Sequence, residues 1–212
     1  MSAADFEAPL DDVGLVPFGR GTERGLDART LGTRGTQLEV LAGFSLPVPA
    51  GITVPVPNVP GLVGGQRAQA ALDIVEMLAG AAVGSVDASR GLMLLRVSAS
   101  APLDAAGLPP ELTGLGLDIT NLPDGFGAQI DADLYHVWWQ TASFIAEHSL
   151  EVPADLISGL TLDHPDARHR VEPLLELCRT HGAAPWPTDH AEQLTRAAAA
   201  LVNAAMPAAA RH

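Results

Sequence analysis

Between Leu31 and Val54 the positions of glycine and proline leave the chain one order of elements: loop, helix, turn and strand. Gly32 and Gly35 bracket a tight approach to a helix whose apolar positions Leu38, Leu41 and Ala42 fall at helical spacing, and Gly43 stands where a C-cap belongs. Pro47 and Pro49 forbid further helix, and the β-branched run Ile52-Thr53-Val54 then suits a strand. A glycine-bracketed turn ahead of a helix presents backbone N–H groups and the positive end of the helix dipole, an arrangement that can hold a phosphate. That reading makes Gly32, Thr33, Arg34, Gly35 and Thr36 candidate anion-binding residues. A lone Gly-x-x-Gly also fits a close-packed turn without a ligand, which is the commoner case.

The rest of the chain sorts around this stretch. Residues 1–12 are acidic and aperiodic and are expected to form a mobile tail, followed by a lead-in segment over 13–30. Pro55 to Gly65 is so rich in proline and glycine that a loop is expected there. Gln66 to Ala82 carries Ala70, Ile74, Met77 and Leu78 at helical spacing. The run Leu92 to Val97, bounded by Gly91 and Ser98, predicts a strand buried on both faces. Residues 131–148 predict a helix with acidic residues near its start and an apolar stripe of Leu134, Val137, Trp138, Thr141, Phe144 and Ile145, read as core. Beyond Pro153 three helical segments are expected: one to Leu160, one over 166–181, and one over 188–206 capped by Thr188 or Asp189, with Glu192 or Gln193 completing the box.

Charge narrows the partners. The 25 acidic residues face 12 basic ones, all arginine, for a net charge of −13. Nucleic acid and anionic membranes call for clustered positive charge, so neither is an expected partner. Without lysine, any phosphate contact must come from arginine, backbone N–H groups or a bound cation. No apolar run reaches membrane-spanning length and the N-terminus is acidic, so a cytoplasmic protein is expected. Cys178, the single cysteine, fits a reducing compartment and reads as buried filler. Seven histidines are scattered, and Asp163, His164 and His169 come nearest to a ligand cluster without the spacing of a zinc site, so no metal is expected. No Gly-x-Ser-x-Gly elbow is present, and no catalytic residue is assigned.

Leu31-Gly-Thr-Arg-Gly-Thr-Gln-Leu38, followed after the helix by Ser45-Leu-Pro-Val-Pro-Ala-Gly-Ile52, resembles the start of the nucleotide-binding domain of pyruvate phosphate dikinase, an ATP-grasp enzyme. There the frame reads Leu-Gly-Gly-Lys-Gly-Ala-Asn-Leu and then Gly-Leu-Pro-Val-Pro-Pro-Gly-Phe, so the family's lysine has become Arg34. Phe18-Gly-Arg-Gly-Thr-Glu looks like the family's opening Phe-Gly-Gly-Gly-Lys. The segment from Ser98 to Asp118 is similar in spacing to the family's strand and glycine-rich loop, with Gly107 and Gly114-Leu-Gly-Leu-Asp118 matching. Its polar positions differ: the family's arginine falls on Ser98, its Ser-Met-Pro on Asp104 to Ala106, and its Met-Asp on Pro109-Pro110. The Tyr-Arg-Arg-Phe run of the family's next helix is absent, whereas Trp186-Pro-Thr-Asp-His-Ala-Glu-Gln-Leu194 resembles its Phe-Pro-x-Asp-Pro-x-Glu-Gln-Leu.

The resemblance spans about Val13 to the C-terminus. It implies an α/β (α+β) fold: an ATP-grasp N-terminal subdomain with a mixed sheet over 13–150, then a mainly helical extension of the same domain over 151–212. It also implies ATP with magnesium as the ligand class. The family's magnesium carboxylates, phosphohistidine and pyruvate-binding barrel are not expected within this chain. Arg96 offers a substitute cation near Ser98, since alternation puts positions 96 and 98 on one strand face about 6.5 Å apart. Two functions follow as expectations. One is a degenerate, non-catalytic nucleotide-domain relative acting as a binding or regulatory module. The other is the ATP-binding half of a phosphotransferase split over two chains, with a protein partner supplying the missing domains.

Overall fold

The structure, a computed structural model, describes residues 14–18, 28–44, 46, 48, 49, 51–87, 91–100, 111–119, 128–163 and 166–205. The expected acidic tail, most of the lead-in segment, the Asp104–Pro110 stretch and His164 lie outside the described residues. The chain divides into two compact units, residues 1–82 with 99–106 and residues 83–98 with 107–212.

In the first unit, β1 (Val16–Phe18) pairs antiparallel with β2 (Gly51–Thr53), Phe18 opposite Gly51. The absence of a side chain at Gly51 lets the Phe18 ring lie over it; a Cβ there would stand 2.6 Å from the ring's Cζ. Between these strands runs α1 (Ala28–Gly43), broken at Gly32, whose φ of 73° and ψ of 169° belong to a region that only glycine enters readily. The expected loop over 32–36 is thus confined to one residue, and Thr33 to Thr36 are helical. The Thr36 hydroxyl donates to the Gly32 carbonyl at 3.0 Å, fastening the new helical turn onto the break. Gly35 is buried against β2, where a Cβ would meet Thr53 Cγ2 at 2.8 Å.

The strand expected over 52–54 ends at Thr53. The expected Pro55–Gly65 loop is instead a 3-10 turn (Val56–Asn58) running into a short helix, α2 (Val59–Val63). Pro60 sits in the first turn of α2, where a missing N–H costs nothing because that position has no intrahelical acceptor. The next helix, α3 (Ala68–Ala79), is shorter than the 66–82 span and ends at Gly80, which is left-handed with φ of 67° and donates its N–H to the Glu76 carbonyl. It packs on β2 through a face containing Ala71, Leu72, Ile74 and Leu78. Met77, expected in the apolar stripe, is 45% exposed: buried positions 71, 74 and 78 centre that stripe away from it.

The second unit opens with a hairpin of β3 (Val86–Asp87) and β4 (Gly91–Leu92), then β5 (Leu95–Ser98), which pairs antiparallel with β6 (Glu111–Leu115). The single strand expected over 92–97 is therefore divided. The Met93 backbone turns to Gly84 and Ser85, with bonds of 2.8 and 2.9 Å, before β5 begins. Nor is it buried on both faces, since Arg96 and Ser98 are exposed on a two-stranded ribbon. Among the described residues all strand pairs are antiparallel and each sheet has two strands, in place of the mixed sheet expected. Glycines with positive φ at 84, 91, 114 and 116 bend this chain too often for long strands.

The coarse expectation of an α+β protein with a helical C-terminal part holds. The long helix α4 (Ala128–His148) lies on β6, so close at Gly114 that a Cβ there would stand 2.9 Å from Val137 Cγ1. Around α4 gather α5 (Ala154–Asp163), a 3-10 turn (Ala167–Arg170) leading into α6 (Val171–His181), and α7 (His190–Ala205). Trp138, Thr141 and Ile145 of the expected stripe are buried, and Trp139, Ala142 and Ala146 widen it to a second face because helices cover α4 on more than one side. Trp138 meets Trp186 edge to face, with centroids 5.4 Å apart. Asp189 caps α7, its Oδ1 accepting the Glu192 N–H at 2.9 Å. Gln193 does not close the box; it turns inward, accepting the Gly116 N–H at 3.0 Å and donating to the Pro187 carbonyl at 3.1 Å.

Candidate functional site

The Gly32 break puts a helix start at Thr33 inside what would otherwise be a continuous helix. The start of a helical segment is the positive end of its dipole. Thr33 is exposed, while Gly32, Arg34 and Thr36 are half-buried. Against the break lies Ser100: a Cβ on Gly32 would be 2.7 Å from both Ser100 Cβ and Oγ. Only glycine permits this approach, on two counts at once, backbone dihedrals and space. Ser100 was not among the residues singled out from sequence. The alternation that joins positions 96 and 98 reaches it by one more step of two.

Arg96 and Ser98 belong to the β5–β6 ribbon of the second unit. Arg96 Nη1 donates to Glu111 Oε2 at 3.2 Å, with the two side chains 56% and 26% exposed. Ser98 stands opposite Glu111 in the ladder, which puts a carboxylate-bearing residue beside the position where the family resemblance would put a cation. The arginine offered as a substitute phosphate contact is thus engaged by a carboxylate on the neighbouring strand.

A cleft of about 450 Å³ lies along β6, α4 and α5 in the second unit. Leu112, Trp139, Phe144 and Ile157 give it apolar walls, and among the described residues that line it Glu111 and Glu147 are the ionisable ones. The Thr141 hydroxyl at its margin is fully used, donating to the Thr113 carbonyl at 2.6 Å and accepting the Thr113 N–H at 3.1 Å. The Arg170 guanidinium stands 5.1 Å from the Trp139 ring centroid, a cation–π contact made by a buried arginine.

Among the described residues no three of His, Cys, Asp and Glu gather as a metal-binding group. His169 Nδ1 lies 3.8 Å from Asp166 Oδ2 at the exposed start of the 3-10 turn, apart from any such set. Cys178 is fully buried, and burial pushes its thiol from the ordinary 9.0 up to about 11, so it is protonated at neutral pH and unsuited to act as a nucleophile. No helix among the described residues is long and apolar enough to cross a membrane. Compared with protein-family models and with curated proteins, the sequence matches none.

Proposed function

We propose that this chain is a nucleotide-domain module of the pyruvate phosphate dikinase kind that has given up phosphoryl transfer and acts by binding, with the turn at Gly32 to Thr36 as its anion contact. The observation that carries the reading is the break at Gly32, a glycine-only conformation that starts a helical segment at Thr33 with Ser100 against it. Such a start favours negative charge through its dipole, and Arg34 lies in its first turn. Loss of transfer is argued from the cations. Arg34 replaces a lysine with a planar fork, Ser98 replaces an arginine, and Arg96 is held by Glu111. A magnesium nucleotide meeting a chain of net charge −13 gains little from the long-range field.

Calorimetry of the purified chain with ATP and magnesium, paired with an assay for AMP, tests the proposal. Weak binding without AMP formation is the expected result. AMP production by the chain alone refutes it, and AMP production only when a second polypeptide is added would favour the split phosphotransferase instead.

A further inference from the structure

We propose that Arg67, in the first unit, receives the carboxylate of a ligand, either a small organic acid or the C-terminus of a peptide. Arg67 stands in the turn between α2 and α3, where its N–H donates to the Gly61 carbonyl at 3.2 Å. From there the side chain doubles back over α2, so that a Cβ on Gly61 would stand 2.8 Å from Nε and 3.0 Å from Cδ. At its far end Nη1 reaches Gly14, where a Cβ would be 2.9 Å away and where a φ of 63° favours glycine independently. The Asn58 Nδ2 donates to the Gly14 carbonyl and fixes that backbone beside the guanidinium. Two glycines thus frame the head group, and a side chain at either would close on it.

Nη1 is enclosed without a hydrogen-bond partner among the described residues. A guanidinium stays protonated, so it cannot relieve that burial by shedding its charge. Other arginines of the chain are treated differently: Arg96, Arg179 and Arg196 pair with carboxylates, and Arg168 and Arg170 lie over aromatic rings. In a chain with 25 acidic residues, an enclosed cation without a counter-charge is unfavourable, and a bound anion offsets that cost. Arg67 is half-buried, and Nη1 is the nitrogen enclosed, so the rest of the fork can be met from solvent. A carboxylate matches it one charge to one, and its two oxygens lie in a plane as the fork does. A phosphate dianion would bring twice the charge into the field of a chain at net −13. The inference does not depend on the contact at Gly32, so a failed ATP titration leaves it standing.

The test is an NMR titration of the full chain, at constant ionic strength, with acetate, with acetyl-diglycine and with the neutral amide of acetyl-diglycine. The two acids are expected to shift the amide resonances of Gly14, Asn58 and Gly61 saturably, with a Kd on the order of millimolar, and the neutral amide to leave them in place. Equal affinity for the two acids identifies a small organic acid, and tighter binding of acetyl-diglycine identifies a peptide terminus; both support the proposal. Arg67→Lys, which keeps the charge and loses the fork, is expected to bind roughly tenfold more weakly. Arg67→Leu is expected to abolish the response and to raise the thermal midpoint, because the uncompensated charge is gone. Shifts confined to Thr33 to Thr36, a neutral amide that acts as the acid does, an undiminished response in either variant, or a midpoint that falls in Arg67→Leu would each overturn the proposal.

Discussion

Cys178 shows what burial does to a single titratable group. Its folded thiol ionises near pH 11, against an ordinary 9.0, so the unfolded chain loses its proton first as the pH rises. The group's contribution is therefore intact below about pH 9 and is lost between there and pH 11, by about 2–3 kcal/mol. Urea unfolding at pH 8 and 10.5 should show that loss in the native sequence and a smaller one in Cys178→Ala. Arg34 offers a test of the opposite kind. If its fork holds an anion at the Gly32 turn, Arg34→Ala should weaken sulfate or nucleotide binding by about 1.5–3 kcal/mol, read by calorimetry, with Ser100→Ala affecting it less. Glu151 is the one described residue other than glycine with a positive φ, 62°. Replacing it with glycine should raise stability by about 1 kcal/mol, as seen in thermal melts.

At the scale of elements, the sequence spoke clearly where a single local rule decided the outcome. The Asp189 cap and the helix around Trp138 follow from capping chemistry and helical spacing, and the structure has them, whereas α3, expected to reach Ala82, stops at the left-handed Gly80. It misled where one residue type has two meanings. Pro60 reads as a helix breaker but occupies the first turn of α2, and Gly114 reads as loop but sits inside β6, bent to φ of 77° beneath Val137. Gln193 is the sharper case: a capping-box reading keeps it at the surface, whereas its amide joins the α7 start to Gly116 from a buried position. Gln193→Leu would leave the Gly116 N–H and Pro187 carbonyl unmatched, and a loss of about 1–3 kcal/mol is expected in denaturant unfolding. Of the candidate site, the glycine turn was legible because Gly32 needs dihedrals closed to other residues. The Arg96–Glu111 pair and the cleft were not, because both depend on the register of β5 with β6 across 15 residues of chain.

For the whole molecule the governing quantity is charge. A net −13 repels itself in the compact state more than in the expanded chain, and salt screens that repulsion. The thermal midpoint should therefore rise between about 10 mM and 0.5 M sodium chloride, over which the screening length shrinks severalfold. A midpoint that falls would mean that pairs such as Arg196–Glu192 and Arg96–Glu111 outweigh the net field. The same negative charge discourages copies of the chain from meeting, but it does not by itself protect the strand β6, which among the described residues has a strand partner on one side. There the hydroxyl of Thr141 occupies the backbone N–H and C=O of Thr113, filling the place a neighbouring strand would take. A helix side chain thus stoppers the open edge of the ribbon. Thr141→Val, nearly equal in shape, would reopen one rung of hydrogen bonding to any passing strand, and the first sign of it would be self-association in light scattering before any change in fold.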